Sequence, residues 1–235
     1  MNTVPFETAF SATTYPGRGI AVGMNDDGSA VIMYFIMGRS ENSRNRVFVP
    51  QEGGCRTQAF DPSKMVDPSL IIYNCVRTLG NQIIATNGDQ TDTIYDHLKS
   101  GGSFESALST RAFEPDEPNY TPRISALVKM GEKSFGYKLS ILKAMGEGGP
   151  CARYYFDYSR PVKGLGHFIH TYQGDGSPLP SFEGEPERIA LTGDIDQMTE
   201  RAWAALNEDN RVSLYVRHID PATGRDEMRI VNRHQ

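Results

Sequence analysis

Apolar residues recur along the chain in short runs broken by turn chemistry. Gly19 to Met24 and Ala30 to Met37 are two such runs, with Asn25-Asp26-Asp27-Gly28 between them, and together they predict a β-hairpin. Arg46 to Pro50 reads as a further strand. Leu70 to Thr78 and Gln82 to Thr86 flank Leu79-Gly80-Asn81 and predict a second hairpin. A helix is expected from about Thr91 to Lys99, stopped by Gly101-Gly102, because glycine suits the left-handed position past a helix end. A second helix is expected from about Phe104 to Ala112, then a proline-bearing loop from Glu114 to Pro122. Strands follow at Arg123 to Val128, Ser134 to Leu142, Arg153 to Tyr158 and His167 to Tyr172. In the last clear helix, Ile195 to Leu206, the residues Ile195, Met198, Ala202 and Leu206 form one apolar stripe. Asp194 and Gln197 have the spacing of a capping box in front of it. Arg211 to Ile219 and Met228 to Val231 close the chain as a hairpin, and residues 1 to 14 read as an irregular extension before the first strand.

Strands that cluster rather than alternate with helices predict a layered α+β fold, with helices packed on antiparallel sheets. The length, 235 residues, suits one domain spanning 1–235, large enough to bury a core without staples. Three cysteines without close spacing argue against a disulfide framework and give no basis for a structural zinc site. The first ten residues lack the basic and apolar regions of a signal peptide, and the longest apolar run is too short to span a bilayer. The expected setting is therefore the cytoplasm, with no membrane partner. A formal net charge of −5 disfavours a nucleic-acid-binding surface, while a small phosphorylated ligand needs only a local group of arginines.

Five segments could carry chemistry, and each also has an ordinary structural reading. Arg18, after Tyr15-Pro16-Gly17, is either an anion contact at a strand end or a surface residue beyond a turn. Arg39, Arg44 and Arg46 lie close together among Ser40, Asn42, Ser43 and Asn45; guanidinium forks match phosphate oxygens, but a solvated loop has the same composition. Tyr73-Asn74-Cys75-Val76-Arg77 interrupts an apolar strand. Tyr73 could donate to a carbonyl oxygen, and Cys75 reads better as a core thiol than as a nucleophile. Asn87 and Asp92 sit where a turn feeds a helix N-terminus, a place for a polar ligand or for plain capping. The stiff loop from Glu114 to Arg123 could set one carboxylate as a general base, or could be a solvated acidic loop.

Taken in order, Tyr15-x-Gly-Arg18-x-x-Ala-Val-Gly, Asn45-Arg46, Tyr73-Asn-Cys-x-Arg77, Asn87-Gly-x-x-Thr-Asp92-Thr-Ile and Thr121-Pro-Arg-Ile resemble the archaeal-type, stand-alone IMP cyclohydrolase family. The match runs from about Tyr15 to Ser125 and continues more sparsely through Thr171-Tyr172, Pro180, Phe182 and Gly184-x-Pro186. The resemblance implies a four-layer αββα sandwich of the N-terminal-nucleophile hydrolase type. It implies dehydrative closure of 5-formamidoimidazole-4-carboxamide ribonucleotide to inosine monophosphate, with no cofactor and no metal. The family's catalytic Arg, Tyr and Glu correspond to Arg46, Tyr73 and Glu114, and an extra residue, Tyr120, leaves Asp116 and Glu117 as alternative counterparts of the last. Arg18, Arg39, Arg44, Asn87, Asp92 and Arg123 are the candidate substrate-binding residues. The partners implied are the purine nucleotide substrate and product, and a homo-oligomer is left open. Two competing readings are an amidohydrolase of the same fold, which would need a Ser, Thr or Cys freed at a processed N-terminus, and a non-catalytic nucleotide-binding module.

Overall fold

The computed structural model describes residues 2–65, 68 and 71–234. The chain opens with β1 (Val4–Pro5) and α1 (Phe6–Phe10), followed by the hairpin β2 (Arg18–Met24) and β3 (Ala30–Met37). A one-turn helix, α2 (Glu41–Arg44), leads into β4 (Arg46–Gln51) and β5 (Gly54–Ala59). The second expected hairpin is β6 (Asn74–Leu79) with β7 (Gln82–Thr86); Leu70, where that reading began, lies outside the described residues. Next come α3 (Gln90–Lys99) and α4 (Phe104–Ser109), then β8 (Arg123–Met130), β9 (Phe135–Ala144), β10 (Cys151–Tyr158) and β11 (Leu165–His170). β12 (Glu187–Ala190), α5 (Ile195–Ala205), β13 (Arg211–Ile219) and β14 (Asp226–Asn232) complete the order.

The fold is α+β. One seven-stranded sheet runs β1-β12-β11-β2-β3-β13-β14, and the other runs β10-β9-β8-β7-β6-β5-β4. All these pairings are antiparallel except β1 beside β12. Alternation along the strands sends side chains to both faces, and three apolar clusters result. The largest joins the two sheets, with Ile20, Ile32 and Tyr34 from the first and Phe48, Val76 and Ile124 from the second. A second cluster packs α1 and α5 on the first sheet through Phe6, Phe10, Met198 and Ala202. A third packs α3 and α4 on the second sheet through Ile94, Phe104 and Leu108. β3 is buried along its whole length, which is why it reads as a continuous apolar run rather than an alternating one.

Within the irregular extension expected before the first strand, Val4–Pro5 and Phe6–Phe10 are a correction, forming β1 and α1. Phe6 and Phe10, four residues apart, face the same way from α1 and are fully buried. Phe10 meets Phe35 and Phe168 edge-on or tilted, at 5.1 and 4.8 Å between centroids. The expected box at α5 is present: Asp194 accepts from the Gln197 backbone N–H at 2.8 Å, and Gln197 Oε1 accepts in return from the Asp194 N–H. The second expected helix is shorter than its pattern, ending at Ser109.

Candidate active site

Arg18 is the first residue of β2, and the chain reaches it through Gly17 at φ +78°. A Cβ on Gly17 would stand 2.3 Å from Thr171 Oγ1 and 2.5 Å from the Tyr172 ring, so only glycine lets the chain pass there. Thr171 Oγ1 then accepts from the Arg18 backbone N–H at 3.1 Å, which ties the start of β2 to the end of β11. The Arg18 Nε is buried with no hydrogen-bond partner among the described residues. Burial alone would lower this guanidinium's pKa, but Glu114, Tyr172, Tyr15 and Tyr73 crowd around it and raise it instead.

Arg46 opens β4 and is 1% exposed. The turn that delivers it is stiffened by a box in which Ser40 Oγ and Ser43 Oγ each accept from the other's backbone N–H, and the Ser43 carbonyl accepts from Arg46 Nε at 2.9 Å. Burial, and then the neighbouring charge of Arg18, lower the Arg46 pKa.

Tyr73 stands just before β6, on the inter-sheet face. Its orientation depends on a bulge: Cys55 pairs with Val76 and Arg56 with Asn74, so Cys75 is an extra residue against β5. Tyr73, Cys75 and Val76 all face the inter-sheet core, while Asn74 bonds Asp92 of α3 on the other face. Thr57 anchors Tyr73 on both sides, its N–H donating to the Tyr73 carbonyl and its Oγ1 accepting from the Tyr73 N–H, each at 2.9 Å. The Tyr73 hydroxyl lies 2.8 Å from that of Tyr34, and burial pushes its pKa up to about 12 against the opposing fields of Arg46 and Arg18. Cys75 lies 2.8 Å from Cys55, and burial pushes its thiol well above the ordinary value. That is the opposite of what a nucleophilic cysteine needs.

Glu114 is 2% exposed, and burial raises its pKa against the lowering fields of Arg18 and Arg123. Its loop is clamped to itself. The Glu114 N–H donates to the Thr121 carbonyl, while Asp116 accepts from the Thr121 N–H and hydroxyl, and Thr121 Oγ1 also meets the Tyr172 hydroxyl. Asp116 is thus spent on holding the loop, and Glu117 is exposed. Of the three carboxylates considered for one role, Glu114 is the buried one facing the arginines. Gly88 closes the floor: a Cβ there would lie 2.5 Å from Arg123 Nη1 and 3.4 Å from Glu114 Oε1.

The other expected residues are placed as follows. Arg123 donates to Asp89 Oδ1 and Gln90 Oε1, both at 2.7 Å. Asn87 ties the loop together, its Nδ2 donating to the Pro122 carbonyl and its Oδ1 accepting from Gln90 and from the Ile124 N–H. Asp92 lies on the helix-covered face of the second sheet, paired with Arg77 at 2.7 Å and bonded by Asn74. Arg39 is paired with Asp175 at the surface and sits 5.0 Å over the Tyr15 ring. Arg44 donates to the Gly38 carbonyl and to Asn210. Among the described residues, then, Arg39, Arg77 and Arg123 are neutralised, whereas Arg18, Arg46 and Glu114 form no ion pair within 4 Å. The three interact through space without closing an ion pair, and two buried cations facing one carboxyl group leave a positive excess that an anionic ligand would complement.

Sequence reading passed over Tyr34, Thr121 and Tyr172 as members of this group. Tyr34 was hidden inside an apolar run, where its hydroxyl was the one available signal.

The chain matches the family described as IMP cyclohydrolase-like protein over residues 15–224. It is 33% identical over 171 residues to a protein of Methanopyrus kandleri named IMP cyclohydrolase, covering 71% of this chain and 79% of that one. A protein of Methanococcus maripaludis with the same name is 35% identical over 130 residues, covering 52% of this chain and 62% of its own length. A third, from Methanocaldococcus jannaschii, is 28% identical over 127 residues, covering 52% and 61%. The chain therefore spans about three fifths of the latter two relatives. The matched region contains Arg18, Arg46, Tyr73 and Glu114, and on this extent of agreement the chain belongs to the IMP cyclohydrolase-like protein family.

Proposed function

We propose that the chain is an IMP cyclohydrolase, closing 5-formamidoimidazole-4-carboxamide ribonucleotide to inosine monophosphate with loss of water. The observation that carries this reading is the buried pair Arg18 and Arg46, which flanks the Tyr73 hydroxyl and also faces the buried carboxyl group of Glu114. Ring closure needs that set. The carboxamide nitrogen attacks the formyl carbon, a C–N bond forms, and the carbonyl electron pair moves onto oxygen. Tyr73 donates to that oxygen as its charge grows, with Arg46 beside it as electrostatic support. Glu114 takes a proton from the carboxamide nitrogen and returns it to the oxygen. When the C–O bond breaks, the formamido nitrogen releases its own proton, so the oxygen leaves as water and no net proton is taken up or released. A carboxylate whose pKa is raised by burial suits both halves of that transfer. Both reacting groups sit on one imidazole ring, so holding the ring in near-attack geometry supplies much of the rate.

Arg18 takes the anionic part of the substrate in this reading, supported by its orphaned Nε. Arg39, Arg44, Arg123, Asn87 and Asp92 act as phosphate, ribose or base contacts only by exchanging a present partner for substrate. The alternation of apolar clusters, helix on sheet, sheet on sheet and sheet on helix, supports the finer description of the fold as a four-layer αββα sandwich of the N-terminal-nucleophile hydrolase type. The continuous inter-sheet cluster supports one domain over 1–235. A cytoplasmic setting fits a phosphorylated metabolite, and among the described residues no helix is long and apolar enough to cross a membrane.

The test is an absorbance assay of purified protein with the formamido ribonucleotide in the presence of EDTA, following inosine monophosphate. Turnover is the expected result. Nucleotide binding without turnover would replace this reading with that of a binding module.

A further inference from the structure

Tyr34 sits in the middle of β3, fully buried, with its ring stacked on Phe48 at 5.4 Å. Its hydroxyl crosses the space between the sheets to the Tyr73 hydroxyl, 2.8 Å away, and among the described residues that is its one hydrogen bond. Two phenols sharing one bond can order their protons in two ways. If Tyr73 donates, the Tyr34 proton is stranded in the core, and leaving a buried O–H unmade is costly. If Tyr34 donates, both protons are usable: that of Tyr34 is satisfied, and that of Tyr73 is left for an acceptor oxygen brought beside Arg18 and Arg46 by a ligand. In low-dielectric surroundings a phenol that accepts one hydrogen bond becomes a better donor of its own.

We propose that Tyr34 is a positioning residue for the ring closure. By donating to Tyr73 Oη it fixes the direction of the Tyr73 proton and strengthens it as donor to the developing oxyanion. This rests on the cyclohydrolase reading for its kinetic consequence, but not for the proton order itself.

The experiment is a cycle of Tyr34→Phe, Tyr73→Phe and the double variant, read in turnover and in urea denaturation. Tyr34→Phe keeps the ring and its stack on Phe48. Its kcat is expected to fall on the order of tenfold, the size of one lost hydrogen bond, with KM within about twofold. The double variant is expected to be no slower than Tyr73→Phe alone, because Tyr34 acts only through Tyr73. Independent losses that multiply in the double variant, or an unchanged kcat in Tyr34→Phe, overturn the proposal. The stability limb stands apart from the identity of the substrate. Tyr73→Phe strands the Tyr34 proton, so its urea midpoint is expected to fall further than that of Tyr34→Phe, and removing both hydroxyls recovers part of the loss. The opposite order overturns the proton assignment whether or not the formamido ribonucleotide is turned over, while absence of wild-type turnover with the expected stability order refutes the reaction and leaves the assignment standing. If Tyr34→Phe does not fold, 3-fluorotyrosine at position 34 replaces it: the stronger donor is expected to leave kcat equal or higher, and a lower kcat overturns the proposal.

Discussion

Replacing Phe10 with alanine tests whether α1 belongs to the core. The side chain is fully buried, and its ring lies 5.6 Å from Phe6, 5.1 Å from Phe35 and 4.8 Å from Phe168. Truncating a fully buried phenylalanine costs about 3–5 kcal/mol, lost transfer energy plus the cavity left behind. The upper part of that range applies here, because three of the surrounding groups are rigid rings that cannot collapse into the gap. Against a total stability of about 5–15 kcal/mol for an ordinary domain, this is a large fraction. For a chain of this size it corresponds to a fall in Tm of about 6–20 °C. Urea denaturation followed by circular dichroism should show a lower midpoint at unchanged slope, since the same surface is exposed on unfolding. Turnover below the transition should be retained, because Phe10 packs on the face of the first sheet opposite Tyr34. Glu7→Ala is the internal control: it removes only a partly exposed pair with Arg201 and should cost about 0–1 kcal/mol. A loss below about 1 kcal/mol for Phe10→Ala would refute the packing argument.

Glu114→Gln should cut kcat by about 10²–10⁴ if Glu114 moves the proton, measured in the same absorbance assay. The acid limb of wild-type kcat should lie above pH 4.5, the ordinary value, because the working form is the carboxylate and burial raises its pKa. The same shift has a stability sign. Below pH 4.5 both folded and unfolded forms hold the proton and nothing is lost; as pH rises through the raised folded value the native state must bury a charge. Glu114→Gln should therefore be more stable than wild type at pH 8 and show no advantage at pH 4, as read by urea midpoints. Asp194→Ala should cost about 1 kcal/mol by removing the cap on α5 while leaving KM unchanged. Asp92→Asn weakens the Arg77 pair on the helix-covered face; a KM raised severalfold would show that substrate reaches this residue, and an unchanged KM that it does not.

The first hairpin was readable because its turn and both apolar runs were unambiguous, and the α5 box because Asp194 and Gln197 have the required spacing. Other parts were illegible for physical reasons. α1 is five residues long, too short for a period to register, although Phe6 and Phe10 at i and i+4 were a trace of it. β5 points Cys55, Thr57 and Ala59 inward, small side chains that leave no strong apolar alternation. β12 has four residues and draws its stability from neighbours on both sides. In the site, Tyr73 stood out as a polar group within an apolar strand, whereas Arg46 and Glu114 lie in segments that read equally well as solvated loops and were singled out by the family resemblance. Arg18 did not: a residue after a Pro-Gly turn looks like surface until the partner loops carrying Glu114 and Tyr172 are known. Tyr34 was masked because an aromatic in a buried strand looks like packing whatever its hydroxyl touches.

The bulge at Cys75 makes the length of this segment matter more than its composition. A strand is a parity code in which each residue added or removed exchanges inside for outside for everything beyond it. With Val76 fixed in the core, one extra residue is what lets both Cys75 and Tyr73 count as inside. Substitutions at Cys75 preserve that count. A single insertion between Asn74 and Val76 breaks it, turning the Tyr73 hydroxyl toward α3 with every side chain chemically intact. The segment thus carries a constraint on length over and above the packing constraint on its buried side chains, and a one-codon change in length would break the site in a single step.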